Sequence, residues 1–233
     1  HNIATINGGT YKAASDASST GKETYGVYNC GCGANIDLGT LTVTGGIFEG
    51  ADYAIADVSS QPAVVNISGG SFSGAKGAIV KGTNSNAISN AIISISGGVF
   101  DSNVQAYAAD GYKAIQVTDD KYVVTNKIAL DKTSTRIRRG YTDTLKAIVK
   151  ANGKTYDVAD PITWASDKES VATVKDGVVT GVDYGTATIT ATLGTTTGTP
   201  TTQAEGDEVT GGDTVTGGDN TTTPSNTLKA CCT

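Results

Sequence analysis

The feature that most constrains this chain is a short motif that recurs four times in its first half. The motif reads TINGGTY at 5–11, TVTGGIF at 42–48, NISGGSF at 66–72 and SISGGVF at 94–100. Each copy contains an apolar residue, a small polar residue, two glycines, a variable residue and an aromatic residue. The first glycines of successive copies are separated by 37, 24 and 28 residues. Repeats of this length, with short strands and glycine turns, are typical of solenoids in which each repeat forms one coil.

The motif predicts a short right-handed parallel β-helix, because equivalent residues of successive coils then stack on one another. The glycine pair would turn the chain between sheets, where a positive φ or a close backbone approach excludes larger residues. A β-sandwich is the alternative, but the Asn-Gly and Asp-Gly signals of hairpins are sparse in this region. A second recurring element is expected at Gly26-Val27, Ala54-Ile55, Ala78-Ile79 and Ala114-Ile115. The predicted ladders are Ile6, Val43, Ile67 and Ile95 on one sheet, and Tyr11, Phe48, Phe72 and Phe100 on another.

Charge divides the chain into three parts. Residues 1–126 contain six lysines, no arginine and ten acidic residues, whereas residues 127–194 contain ten basic and eight acidic residues. Residues 195–233 contain one lysine, five acidic residues and no aromatic residue. We therefore expect an all-β protein with a β-helix domain over 1–126, a second domain over 127–194 and an extended Thr/Gly-rich connector over 195–233.

The first two parts resemble known families. The repeats and their closing stretch VFDSNVQAYAADGYKAIQVTDDKYVV (99–124) resemble the repeat region of surface proteins from Gram-positive gut bacteria, in which this stretch ends the β-helix. Residues 128–149 and 162–193 resemble the bacterial Ig-like domain, group 2, of invasin- and intimin-type surface proteins. The matching elements include Trp164-x-Ser166, VATV at 171–174 and GTATI at 185–189. The resemblance implies a small β-sandwich, in which Trp164 packs in the core.

We expect no catalytic activity, no cofactor and no metal ion. The β-helix region lacks arginine, and its acidic doublet, Asp119-Asp120, is expected in a turn. The single histidine, His1, excludes most histidine-dependent catalysis and histidine-rich metal sites. Loop acids such as Asp110, Asp131 and Asp183 are interpreted as solvated. The net charge of −6 argues against nucleic acid or an anionic membrane as a partner.

The four cysteines form two close pairs, Cys30 with Cys32 and Cys231 with Cys232. Bonding within a pair is unfavourable: the adjacent Cα atoms of Cys231 and Cys232 lie about 3.8 Å apart whereas disulfides usually span about 4.4–6.8 Å, and the ring that a Cys30–Cys32 bond would close is tight as well. Disulfides between the two pairs would satisfy all four thiols, and which cysteine bonds to which stays open. The tail sequence VTGG at 209–212 and 215–218 repeats the β-helix motif. Val209, Thr210, Val215 and Thr216 are therefore candidates to dock as strands on a β-helix.

These observations favour a structural subunit of an extracellular bacterial fibre, a homopolymer joined head to tail by the connector and by intermolecular disulfides. The alternative is a cell-surface adhesin or glycan-binding module with an Ig-like stalk. No apolar run approaches the roughly 18 residues of a membrane span. The absence of Met suggests that a signal peptide has been removed. We therefore expect an extracellular location, on a cell surface or a spore-surface appendage.

Overall fold

The computed structural model describes residues 3–13, 23–29, 39–59, 62–82 and 89–193, together with the backbone of 225–232. Within these residues the protein is all-β, and its one helical element is a 3-10 turn, Gln105–Tyr107. Two regions follow one another along the chain. We call them the repeat region (up to residue 126) and the C-terminal domain (127–193 with 225–232).

Apart from a final hairpin, the strands of the repeat region form three parallel sheets, to each of which every described repeat contributes at most one strand. Each strand pairs with its equivalent in the next repeat, so that residues at the same motif position lie side by side. The first sheet contains β1 (Ile3–Ile6), β4 (Thr40–Val43), β7 (Val64–Ile67) and β10 (Ile92–Ile95). The second contains β2 (Thr10–Lys12), β5 (Ile47–Gly50), β8 (Ser71–Gly74) and β11 (Val99–Phe100). The third contains β3 (Tyr25–Asn29), β6 (Tyr53–Asp57) and β9 (Gly77–Lys81).

Both predicted ladders are confirmed. The aromatic rings stack in one column, with centroids 5.0 Å apart between Tyr11 and Phe48 and 4.8 Å apart at each of the next two steps. Phe72 lies between Phe48 and Phe100, and all three phenylalanines are buried. The aliphatic ladder pairs Ile6, Val43, Ile67 and Ile95 in register across the first sheet.

The glycine pairs turn the chain between the first and second sheets for two separate reasons. A Cβ on the first glycine would strike the preceding repeat, as at Gly97, where it would lie 2.2 Å from the carbonyl oxygen of Ser68. The second glycine has a positive φ, which is 112° at Gly98, and side chains rarely adopt this conformation. The equivalent glycines Gly9, Gly46 and Gly70 have φ values of 95°, 117° and 106°.

The last repeat ends in an antiparallel hairpin of β12 (Lys113–Val117) and β13 (Lys121–Thr125), and β13 pairs antiparallel with β11. The sequence interpretation of Ala114-Ile115 as another copy of the third-sheet element was therefore wrong. The chain reverses at the turn that contains Asp119 and Asp120, so β12 joins the second sheet instead of stacking on β9. Asp120 has a φ of 53°, which a turn tolerates in aspartate.

The C-terminal domain consists of short, mostly antiparallel strands in three sheets. Its two tight hairpins turn at Asn152-Gly153 and Asp176-Gly177, and all four residues have a positive φ, as such turns require. Trp164 is half-buried and packs against the core, as expected. The nine strands before the tail are β14 (Ala129–Leu130), β15 (Ser134–Ile137), β16 (Thr142–Thr144), β17 (Ala147–Ala151), β18 (Lys154–Asp157), β19 (Ile162–Ser166), β20 (Ala172–Lys175), β21 (Val178–Gly181) and β22 (Gly185–Leu193).

Within the connector expected over 195–233, the structure describes residues 225–232, which are part of a sheet of the C-terminal domain. Residues Ser225–Cys232 form β23, which inserts between β15 and β22 in a four-stranded sheet with the order β15-β23-β22-β19. It runs parallel to β15 and antiparallel to β22. Without β23, the facing edges of β15 and β22 would expose unpaired backbone groups, and β23 supplies their hydrogen-bond partners.

Two hydrophobic clusters fill the described structure. One is confined to the repeat region and contains residues from all three of its parallel sheets. The other joins the two regions, because it contains Val99, Ile115, Val117 and Val123 together with the core of the C-terminal domain. The hairpin of β12 and β13 therefore also contributes side chains to the core of the C-terminal domain.

Candidate interaction surfaces

The side chain of Asn152 fastens the C-terminal domain to the third repeat. Its Nδ2 donates hydrogen bonds to the Gly70 carbonyl oxygen at 2.8 Å and to the Ser71 Oγ at 3.1 Å, and its Oδ1 accepts one from the Gly70 N–H at 3.3 Å. Asn152 reaches this position because the Asn152-Gly153 turn projects from the β17–β18 hairpin. The side-chain amide of Asn152 thus pairs with both the N–H and the carbonyl oxygen of Gly70, as the backbone of a neighbouring strand would.

Backbone contacts reinforce this junction. The Ala159 N–H donates to the Gln116 carbonyl oxygen at 2.8 Å, and the Gln116 N–H donates to Asp160 Oδ2 at 2.9 Å. Val117 and Val158 form an antiparallel bridge beside them. Because these contacts use the main chain of both regions, the junction fixes one region against the other.

The strand register locates the far end of the C-terminal domain. At the start of β22, Gly185 lies opposite Cys232, and at its end Leu193 lies opposite Ile162. Ile162 follows the junction residue Asp160 by two positions. Eight residues of extended strand span about 26 Å, so the Gly185 end is the end remote from the repeat region. We call it the distal end.

All three arginines of the chain lie at the distal end, and all three are exposed. Arg136 and Arg138 flank the buried Ile137, so they are exposed on the outer face of β15 and the turn that follows it. Arg139 Nη1 lies 4.0 Å from Asp183 Oδ1, and both side chains are more than half exposed. Such exposed pairs contribute little energy. Neither Arg136 nor Arg138 makes an ion pair within the described residues.

Two exposed tyrosines accompany the arginines. Tyr141 is 65% exposed and Tyr184 is 73% exposed, the largest fractions among the large hydrophobic residues reported for this domain. The Tyr141 N–H donates to the Arg138 carbonyl oxygen at 2.9 Å, and the Gly181 N–H donates to the Tyr141 carbonyl oxygen at 3.0 Å. The backbone that presents these side chains is therefore hydrogen-bonded. We call the set the distal patch: Arg136, Arg138, Arg139, Tyr141, Val182 and Tyr184.

The nearest acidic side chain on the neighbouring strand already has a partner. Asp143 accepts hydrogen bonds from Lys132 Nζ and from Thr135 Oγ1, both at 2.5 Å. The bond from Lys132 and the bond from Thr135 lower the pKa of Asp143. Asp143 is thus charged at neutral pH and is paired with Lys132, so it does not neutralise Arg136 or Arg138.

A charged cluster joins three successive repeats where the chain enters the third sheet. Lys76 Nζ lies 3.3 Å from Glu23 Oε1 and 3.1 Å from Asp52 Oδ1. The Thr24 N–H donates to Asp52 Oδ2 at 2.8 Å. This bond and the one from Lys76 lower the pKa of Asp52, and the same contact raises the pKa of Lys76. Lys76 bridges carboxylates from two other repeats, so we assign the cluster a structural role.

A buried carboxyl group was missed by the sequence analysis. Asp57 is fully buried and accepts hydrogen bonds from Asn29 Nδ2, from the Ser59 N–H and Oγ, and from Ser89 Oγ, at 2.5–3.1 Å. These neutral donors satisfy both of its oxygens, as burial requires. The signal in the sequence was an acidic residue between the buried Ala56 and Val58. The arrangement closes a corner of the repeats and presents no group for acid–base chemistry.

The predicted site residues fall largely beyond the description. Cys30, Cys32, Val209, Thr210, Val215 and Thr216 lie outside the described residues. Cys231 and Cys232 are the last two residues of β23. Cys231 is in register with Arg136 and Thr186, whereas Cys232 is in register with Ile137 and Gly185. Successive strand positions belong to opposite faces of the sheet, so the two cysteine positions belong to different faces.

No three histidine, cysteine, aspartate or glutamate side chains among the described residues are placed to hold a metal ion. In the same part of the chain, no helix has the length and apolar character needed to cross a membrane.

Comparison with known proteins bears on the C-terminal domain. No curated protein matches the chain. Strand β23 lies beyond the matched residues, although it completes a sheet of the same domain. Residues 124–204, which contain β14 to β22, match the family described as bacterial Ig-like domain (group 2), so this part of the chain is similar to those domains.

Proposed function

We propose that this chain is a non-enzymatic, extracellular protein of the bacterial surface, an adhesin-type module in which an Ig-like stalk carries a recognition domain. In this proposal the three parallel sheets close into a short right-handed parallel β-helix, and glycans are the ligand class. The matched family occurs in bacterial surface proteins, which supports the location. The proposal involves no cofactor.

The observation that carries this proposal is the junction between the two regions. A stalk displays a second domain effectively only when the connection is firm, and here three hydrogen bonds from Asn152 are joined by backbone contacts and a shared core. In the repeat region, Glu23, Asp52 and Asp57 are engaged in structural ion pairs or hydrogen bonds at the corners of the repeats. The structure thus favours display over catalysis.

The position of β23 argues against a connector whose whole length is free to reach a neighbour. Residues Ser225–Cys232 pair along β15 and β22 of their own chain. A tethered strand is present at a high effective concentration beside its own domain, and intramolecular pairing therefore prevails in dilute solution. This is why the adhesin alternative now ranks above the fibre subunit.

Glycan binding by the intact chain tests the proposal. A fluorescently labelled sample is applied to an array of bacterial and host glycans, and the glycans are analysed afterwards for new reducing ends. We expect saturable binding and unchanged glycans. Release of reducing ends would contradict the non-enzymatic assignment, and absence of binding to every glycan would contradict the adhesin assignment.

A head-to-tail fibre is the second candidate, and the register of Cys231 favours it. Cys231 is paired with the exposed residues Arg136 and Thr186 at the distal end. Cys30 and Cys32 directly follow β3 of the first repeat in the sequence. Disulfides from one distal end to the first repeat of the next subunit would build a homopolymer. Because the cysteine positions belong to opposite faces, we expect Cys231 to carry the link.

A non-reducing gel tests this candidate. Oxidised protein should form a ladder at multiples of 23.5 kDa that collapses with reductant. Cys231→Ser should remove the ladder, and the matched variant Cys232→Ser should largely retain it. A wild-type protein that stays monomeric under oxidising conditions would contradict the fibre.

A further inference from the structure

We propose that the distal patch binds an acidic polysaccharide, by pairing its arginines with sugar carboxylates and stacking its tyrosines on sugar rings. The inference rests on the proposed function and adds a site and a ligand class to it. It places a binding surface on the Ig-like domain, at the end remote from the repeats.

Arginine is confined to one region of the chain. The repeat region contains no arginine, and the three arginines of the chain fall within four residues of the C-terminal domain. Arg136 and Arg138 have no ion-pair partner among the described residues, and Asp143 beside them is held by Lys132. The distal patch is therefore a local positive site on a chain with a net charge of −6.

The positive charges of the distal patch come from arginine and not from lysine. A guanidinium group is planar and offers two parallel N–H donors to a carboxylate, whereas a lysine ammonium acts as a point charge. Arg136 lies in β15 and Arg138 lies one residue beyond its end, and both are exposed on either side of the buried Ile137. Arg136 and Arg138 thus form a short row that suits a ligand with successive carboxylates.

Two exposed aromatic side chains accompany the arginines in the distal patch. Tyr141 and Tyr184 are 65% and 73% exposed, and their rings lie outside the core cluster of the domain. Tyrosine offers an apolar face together with a polar hydroxyl, which suits a sugar ring with its C–H face and its rim of hydroxyls. A uronic acid presents a carboxylate and a ring in the same residue, so it engages both halves of the distal patch.

Other polyanions fit less well. A nucleic acid would bring a dense row of phosphates towards a chain that is acidic overall, which repels it. Inorganic polyphosphate offers charge without a ring for the tyrosines. A second copy of this chain would need a broader contact, because stable protein interfaces bury roughly 1,200 Å² or more, and Val182 is the one aliphatic member of the distal patch.

The test measures binding of the full chain to polygalacturonate, with inorganic polyphosphate and neutral dextran as comparators. We expect the wild type to bind polygalacturonate, to bind polyphosphate more weakly and not to bind dextran. Arg136→Ala with Arg138→Ala should weaken binding at least about tenfold, since each charge-assisted hydrogen bond is worth about that factor. The control, Lys150→Ala with Lys175→Ala, removes the same charge from exposed positions elsewhere in the domain and should stay within about twofold.

The aromatic half has its own pair of variants. Tyr184→Ala should weaken binding, whereas Tyr184→Phe keeps the ring and should retain most of it. Three results would overturn the proposal. The two charge-matched double variants could lose the same amount of affinity for polygalacturonate, or polyphosphate could bind as tightly as polygalacturonate. The arginine double variant could also change the sedimentation coefficient of the protein without changing its affinity for polygalacturonate. If the patch variants are unaffected while the chain still binds glycans on the array, this inference fails and the proposed function stands.

Discussion

The repeat region and the C-terminal domain are both built of strands, but they obtain their partners in different ways. In the repeat region each strand pairs in parallel with the same position of the next repeat, as Phe48 pairs with Phe72. In the C-terminal domain most pairs are antiparallel, and the four-stranded sheet is completed by β23, where Ser134 pairs with Lys229. The first arrangement distributes stability along a stack, whereas the second depends on a strand from the far end of the chain.

The largest expected effect tests the stacking in the repeat region. Phe72 is buried between two rings at 4.8 Å, so Phe72→Ala should lower the free energy of unfolding by about 3–5 kcal/mol. Denaturant melts followed by circular dichroism measure it. Tyr11→Ala, at the exposed end of the same column, is the matched control and should cost less. A loss below about 1 kcal/mol at Phe72 would mean that the stacked rings contribute little to the stability of the repeat region.

The next effect tests the dependence of the C-terminal domain on β23. Lys229 lies in the middle of a strand with neighbours on both sides, and proline there removes a ladder hydrogen bond. Lys229→Pro should cost at least about 1–3 kcal/mol, because it leaves a ladder acceptor unpaired, while Lys229→Ala should change little. Trp164 fluorescence follows the unfolding of this domain. Equal stability of the two variants would show that β23 does not complete the sheet.

A smaller effect concerns the coupling between the two regions. Asn152→Gly keeps the positive φ of the turn but removes the three hydrogen bonds to Gly70 and Ser71. We expect a loss of about 1–3 kcal/mol and a broadening or splitting of the calorimetric transition as the regions uncouple. Asn152→Ala, which also strains the turn, should be less stable than Asn152→Gly. An unchanged single transition would contradict the coupling.

The smallest effect is a pH dependence in the last repeat. Burial raises the pKa of Asp101 despite the hydrogen bond that its Oδ2 accepts from the Gly74 N–H, and its Oδ1 has no hydrogen-bond partner among the described residues. The folded pKa therefore lies above the unfolded one, so the contribution of this group to stability falls as pH rises through the folded pKa. Asp101→Asn should lessen that fall, as thermal melts at pH 4 and pH 7 would reveal. A fall of the same size in the variant would assign the effect to other groups.

The same contrast explains what the sequence predicts. Stacking between equivalent repeats was predictable, because the GG-x-aromatic motif fixes the positions of Tyr11, Phe48, Phe72 and Phe100 relative to the glycine turn of each repeat. Ala114-Ile115 was assigned to the wrong sheet because a two-residue pattern does not record that the chain reverses after it. Strand β23 was missed because the Thr/Gly-rich residues before it conceal an eight-residue strand whose partners lie far away in the sequence.

The candidate sites were less predictable than the fold. The cysteines attracted attention by their chemistry, yet the described surface features that matter most are Asn152, Arg136, Arg138 and Tyr184. Asn152 was visible as part of an Asn-Gly turn, but its contact with Gly70 depends on how two regions pack. The arginines were visible as a cluster, but their exposure at the distal end required the register of β15, β22 and β23.

Hydrogen exchange of the C-terminal strand tests the central claim, that the Ig-like domain is completed by β23 of its own chain, most directly. The measurement follows the amides of 226–232 in dilute, reduced, monomeric protein and again at a hundredfold higher concentration. The account predicts protection comparable to that of β22 at both concentrations. Fast exchange in the monomer, with protection only in the concentrated sample, would contradict it and would restore a strand that pairs between subunits.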